Sequence, residues 1–207
     1  HLMNLLKNDF DINSVSIHDK YNIKNLINKN DINHIFIDLP FGSLFYFSFK
    51  LKILDNWVRS FKDWIISKQM FKAKNNFNSN ILEFMDIHSE SYYFLKNKNY
   101  NANFKIIVRS HTPWTLLRKY YEKEERKNID SKWAYHRESF CFKKCDIITT
   151  PSKNLKIKLV KIFNLDEKKI VVLPNIIDTD HFKPLKIRKN DGKFNLLHVG
   201  RFNRGKG

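Results

Sequence analysis

Short apolar runs alternate with longer amphipathic ones along most of this chain, and that alternation constrains the fold more than any other feature. Residues 11–17, 33–38, 81–85, 104–109, 147–149 and 170–173 each read as a strand. Helix-like stretches fall between most of them, which is the pattern of a parallel sheet with crossover helices. Residues 54–72 carry Trp57, Phe61, Trp64, Ile65 and Phe71 at helical spacing, and this reads as a core-facing amphipathic helix rather than a membrane hook. A helix follows near 90–97 and another over 131–144. Residues 115–127 are charged and read as a mobile helix or lid. Ser152, behind Pro151, is placed to cap the next helix.

Composition narrows the class. A hydrophobic fraction of 42% argues against disorder. No run approaches the roughly 20 apolar residues that a membrane-spanning helix requires. The net charge of +17 comes from 38 Lys and Arg against 21 Asp and Glu. Such a surface suits anions, whether nucleic acid, anionic lipid or a phosphorylated substrate, but abundant Lys and Asn also reflect compositional drift. The charges are scattered instead of interleaved with aromatics, and no nucleic-acid motif is present, so no nucleic-acid partner is expected. Cys141 and Cys145 lie four residues apart on one helix face and read as small buried residues. Two cysteines make neither a zinc site nor a disulfide framework, and no metal is expected.

Two places carry chemistry. His111 follows directly on the strand 104–109, with Arg109, Ser110 and Thr112 beside it. Ligands of open parallel sheets gather beyond the carboxyl ends of the strands, and Pro113 cannot continue the strand, so the turn aims His111 toward a cleft. The alternative is a structural histidine bonded to a loop carbonyl. The second place is the end of the chain, where strand 194–199 feeds Gly200-Arg201-Phe202-Asn203-Arg204-Gly205-Lys206-Gly207. A strand leading into a basic, glycine-rich turn prepares an anion site at the start of a helix. The sequence stops there, it opens on His1, and no glycine precedes Gly42, so both ends read as cut from a larger protein.

Pro174-Asn175-Ile176-Ile177-Asp178, then Phe182 and Pro184, with the terminal Gly-Arg and Lys-Gly, resemble the retaining GT-B glycosyltransferases of family 4. The likeness extends back through 108–113, through Glu138 to Ser152, and through Ile81-Leu82-Glu83-Phe84 to Glu90. It departs at Ile176, where the family has glycine; a β-branched residue disfavours positive φ, so that turn is expected to be built differently.

The resemblance implies an α/β GT-B fold, with a Rossmann-like parallel sheet and flanking helices, truncated at both ends. Residues 1–182 would form the acceptor-side domain without its first strand, 183–193 the linker, and 194–207 the start of the nucleotide-sugar-binding domain. It implies that the full-length protein is a glycosyltransferase of hexosyltransferase type, which moves a sugar from a nucleotide sugar to a hydroxyl of a glycan or lipid-linked saccharide. This segment alone would be inactive. His111 would be catalytic, Gly200, Arg201 and Lys206 would hold the donor phosphates, and Glu83, Glu90 and Arg109 would stand on the acceptor side. The nucleotide sugar is a substrate, and no cofactor is implied. The location would be cytoplasmic, with peripheral contact to an anionic membrane surface at the inner face. Another GT-B enzyme, such as a phosphorylase or nucleotide-sugar epimerase, is the alternative, and a non-enzymatic basic binding domain is a more distant one.

Overall fold

The computed structural model describes residues 13–18, 33–38, 55–97, 104–121, 129–179 and 181–184. Strands β1 (Asn13–His18) and β2 (Asn33–Asp38) pair in parallel, with Asn13 opposite Asn33 and His18 opposite Asp38. A second sheet contains four parallel strands in sequence order: β3 (Ile81–Met85), β4 (Lys105–Arg109), β5 (Ile147–Thr150) and β6 (Ile170–Val172). Parallel neighbours need a crossover. Helix α1 (Asp55–Phe77) precedes β3, and α2 (Tyr92–Lys96) joins β3 to β4. Helices α3 (Trp114–Tyr121) and α4 (Ile129–Lys144) lie between β4 and β5, and α5 (Lys153–Phe163) lies between β5 and β6. This is the parallel sheet with crossover helices that the alternation of runs implied, and the α/β, Rossmann-like arrangement expected from the resemblance.

Register explains the core. Phe84, Val108, Ile148 and Ile170 stand opposite one another across all four strands and are all buried. Cys141, Phe142, Leu159 and Phe163 of α4 and α5 close over that row. Each fully buried side chain of this size contributes roughly 1.5–3 kcal/mol. Alternation turns the intervening residues to the other face, which carries the Glu83–Arg109 ion pair and leaves Ile81, Ile147 and Val171 exposed.

Helix α1 corrects one expectation. Its buried face consists of Ser60, Asp63, Ile66, Ser67 and Ala73, whereas Trp57, Phe61 and Trp64 are 43%, 53% and 36% exposed. Phe71 does turn inward and stacks on Phe94 at 4.0 Å. The small and polar residues face in because they have partners there. Ser60 Oγ is 2.8 Å from the Tyr93 hydroxyl, and Asp63 meets Arg137 of α4. Periodicity located a stripe, but partners decided which stripe is buried. Among the described residues, no helix is long and apolar enough to cross a membrane.

Helix α5 begins and ends as its residues dictate. The Leu155 amide donates to Ser152 Oγ at 3.2 Å, and Asn164 adopts the left-handed conformation (φ 50°) that stops the helix. In the 174–184 segment, Asp178 Oδ1 accepts from the His181 amide at 3.1 Å. Ile176 does not have positive φ, so the turn is made without the geometry that a glycine would permit.

Candidate functional site

The carboxyl ends of the strands are tied together by backbone bonds. The Asp86 amide donates to Arg109 O at 3.0 Å, the Ser110 amide to Thr149 O at 2.7 Å, and the Leu173 amide to Thr150 O at 2.8 Å. These bonds continue each strand one residue into its loop. They fix where the following side chains start.

Asp86 and Ser110 are both buried there, and Ser110 Oγ donates to Asp86 Oδ2 at 2.8 Å. Burial raises the Asp86 carboxyl above its ordinary range, while the Ser110 hydrogen bond and the neighbouring His111 pull it down. His111 is half-buried and adjoins this pair, at the end of β4 where the sequence placed it. The Thr112 hydroxyl donates to the His111 carbonyl. The Asp86 carboxylate also accepts from the His111 amide, which fixes the backbone from which the ring projects. Neither Asp86 nor its bond to Ser110 was read from the sequence. The signal available was an aspartate one residue past a strand, which is common in loops.

The turn after β3 is unusual. His88 and Ser89 have φ of 55° and 57°, the left-handed region that non-glycine residues disfavour. Arg137 holds them there. Its guanidinium donates to His88 O at 2.7 Å and to Ser89 O at 3.3 Å, and it pairs with Asp63. The Arg137 and Asp63 side chains are 2% and 6% exposed, so this is a buried ion pair.

Glu138, one residue on, is also buried. Its Oε1 accepts from the Trp114 amide at 2.5 Å, and its Oε2 from the Thr115 amide at 3.0 Å and from the Thr115 hydroxyl. The carboxylate thus satisfies the free amides that begin α3. Burial pushes Glu138 up to about 7, against the pull of those three donors. It is a structural hydrogen-bonder.

The other expected residues separate into groups. Glu83 and Arg109 form a two-pronged ion pair, with Arg109 Nε at 2.6 Å from Oε1 and its terminal nitrogen at 3.1 Å from Oε2. The hydrogen bonds that Arg109 donates to Glu83 raise its pKa. Glu90 follows the strained turn; burial and then the Asp63 charge push it up to about 7. Gly200, Arg201 and Lys206 lie outside the described residues, as does strand 194–199.

A cavity of about 400 Å³ opens between α3 and α4, lined by Trp114, Thr115, Arg118, Ser131, Lys132 and Tyr135. A smaller recess, lined by His88, Ser89, Arg137 and Glu138, shares Trp114 with it. Burial raises Cys141 to about 12 and Cys145 to about 11, so both thiols stay protonated near neutrality. Among the described residues, no three His, Cys, Asp or Glu side chains gather as metal ligands.

A parallel sheet with polar, partly buried groups at its carboxyl edge is the binding layout of Rossmann-like enzymes. Comparison with protein families matches residues 46–181 to Glycosyltransferase Family 4, and the chain belongs to that family. No curated protein and no solved structure gave a match.

Proposed function

We propose that this domain is the acceptor-side half of a retaining GT-B glycosyltransferase that moves a hexose from a nucleotide sugar to a hydroxyl of a glycan or lipid-linked saccharide. The observation that carries the reading is the Asp86–Ser110–His111 cluster at the carboxyl edge of a family 4 sheet. In this reading residues 1–182 form the acceptor-side domain, 183–193 the linker, and 194–207 the opening of the donor domain.

Transfer breaks the bond between the anomeric carbon and the donor phosphate and forms one to the acceptor oxygen on the same face. The acceptor proton passes to the departing phosphate oxygen. Charge grows on that phosphate in the transition state, so Arg201 and Lys206 lower the barrier more than they stabilise bound donor. Arginine grips two phosphate oxygens with its planar fork, and lysine adds a point charge. Gly200 lets the backbone come close to the diphosphate. No metal or other cofactor takes part.

His111 contacts the transferred sugar or the acceptor, with Asp86 holding its backbone in place. Glu83 and Arg109 act as one acceptor-side unit because each holds the other, and Glu90 is the more remote acceptor-side group. The cavity between α3 and α4, lined by Trp114 and Thr115 among others, supplies room for the acceptor. The setting is the cytoplasm.

The test is transfer by the full-length protein from a panel of nucleotide sugars, for the wild type, His111→Ala and Arg201→Ala. Arg201→Ala is expected to lower kcat by about 100-fold or more, the loss typical of removing one transition-state donor. His111→Ala is expected to lower kcat/KM. Full turnover by both variants would refute the assignment and favour a scaffold role. Phosphorolysis or epimerisation in place of transfer would give the same fold a different reaction.

A further inference from the structure

The cavity between α3 and α4 is walled by one face of each helix. Trp114, Thr115 and Arg118 share helical spacing on α3, and Ser131, Ala134 and Tyr135 share it on α4. Residues four apart on a helix lie about 5–6 Å from each other between Cβ atoms, so one sugar ring spans from Trp114 to Arg118.

The lining divides into two kinds of surface. Trp114, Ala134 and Tyr135 supply apolar area. Tyr135 is held by stacking on Phe163 at 5.6 Å and by donating its hydroxyl to Ile162 O at 3.2 Å. Arg118 and Lys132 supply positive charge, and among the described residues the lining includes no carboxylate. Arg118 is 7% exposed, so its charge acts through a wall of low dielectric, whereas Lys132 is exposed. The start of α3 adds no anion site of its own, because Glu138 already accepts from the Trp114 and Thr115 amides.

We propose, on the reading that this cavity receives the acceptor, that the sugar unit it takes carries its own negative charge, a phosphate or a carboxylate, and that Arg118 and Lys132 select it. A cavity of about 400 Å³ is at the small end of ligand sites and suits one such unit. The C–H face of the sugar packs on an aromatic ring, and its acidic group meets the Arg118 fork, which matches either anion with two prongs. Lys132 adds a point charge. A neutral sugar gains the packing but none of the charge-assisted hydrogen bonds, so it binds about 10-fold or more weakly.

The experiment is calorimetric titration of the full-length protein, without donor. The titrants are hexose phosphates and hexuronates of gluco, galacto and manno configuration, the parent hexoses, inorganic phosphate and uridine diphosphate. Lys132→Glu and Arg118→Lys accompany the wild type. Lys132 is exposed, so its variant keeps the test open even where the buried Arg118 tolerates no change, and melting curves verify folding. At least one acidic sugar is expected to bind about 10-fold or more tightly than its parent hexose, and the series it belongs to identifies the acidic group. Lys132→Glu is expected to remove most of that preference, and Arg118→Lys to weaken acidic sugars by about 10-fold through loss of the fork. No binding by any acidic sugar, equal binding of the parent hexoses, inorganic phosphate as tight as a sugar phosphate, or an unchanged preference in Lys132→Glu would overturn the proposal. So would uridine diphosphate binding that Lys132→Glu abolishes, which would give the cavity to the donor. Acidic sugars that bind but receive nothing from any nucleotide sugar would refute transfer and leave the charge selection standing. Transfer to neutral acceptors alone would do the reverse.

Discussion

Removing Arg137 should cost more stability than any other single polar substitution in this domain. The side chain is 2% exposed and its partner Asp63 is 6% exposed. In Arg137→Met the methionine fills much of the volume, but Asp63 loses the guanidinium that offsets its buried charge. The His88 and Ser89 carbonyls lose their donor at the same time. Breaking a buried pair in this way costs about 3–5 kcal/mol. For a chain of this size that lowers Tm by roughly 6–20 °C. The double variant Asp63→Leu/Arg137→Met removes that charge as well, so what remains is the loss of the donor to the two carbonyls, which costs about 1–3 kcal/mol. The double variant should therefore be more stable than the single one. Urea denaturation of the wild type, both single variants and the double variant measures this cycle. A loss below about 1 kcal/mol for Arg137→Met, or a double variant no better than the single one, would refute the clamp.

Stability should also depend on pH through Glu138 and Glu90, which burial raises from 4.5 to about 7. The folded state then holds protons that the unfolded chain has released. The contribution is full below pH 4.5 and is lost as pH rises through about 7. Glu138→Gln should flatten the decline seen by denaturation across that range, and an unchanged slope would contradict it. Ser152→Ala should cost about 1 kcal/mol by removing the cap of α5, and Ser152→Gly only a few tenths, as read by urea midpoints. Glu83→Gln and Arg109→Met should each change stability by less than about 1 kcal/mol, because the pair is partly exposed. Their effects on acceptor KM should fail to add in the double variant, whereas additive effects would separate the two roles.

The strands were legible because a buried parallel strand is a short apolar run whatever surrounds it. Thus β2 and β3 occupy the residues expected of them, and the remaining strands differ from expectation only at their ends. Ser152 was legible as well, since a cap is a local event between a side chain and an amide three residues away. What escaped depends on distant partners. Asp63 and Arg137 are 74 residues apart, and nothing near either one announces the other. The same holds for α1. Its aromatic spacing suggested a buried face, but the face that found Tyr93 and Arg137 was the polar one. His111 could be placed from its position after β4, while the Asp86 beside it comes from the loop after β3 and needed the register between the strands. The donor-side residues are a sequence reading alone, since they lie outside the described residues.

Cys141 gives the domain a built-in reporter. Its sulfur lies 3.9 Å from the Ser89 carbonyl, between α4 and the turn that Arg137 clamps. The thiol is buried and held protonated, so it reacts with an alkylating reagent only when α4 lifts away from that turn. When reclosing is faster than alkylation, the ratio of observed to intrinsic labelling rate equals the fraction of molecules open at that spot. Labelling of Cys141 therefore measures, with a native side chain as the reporter, how often α4 and the turn after β3 come apart.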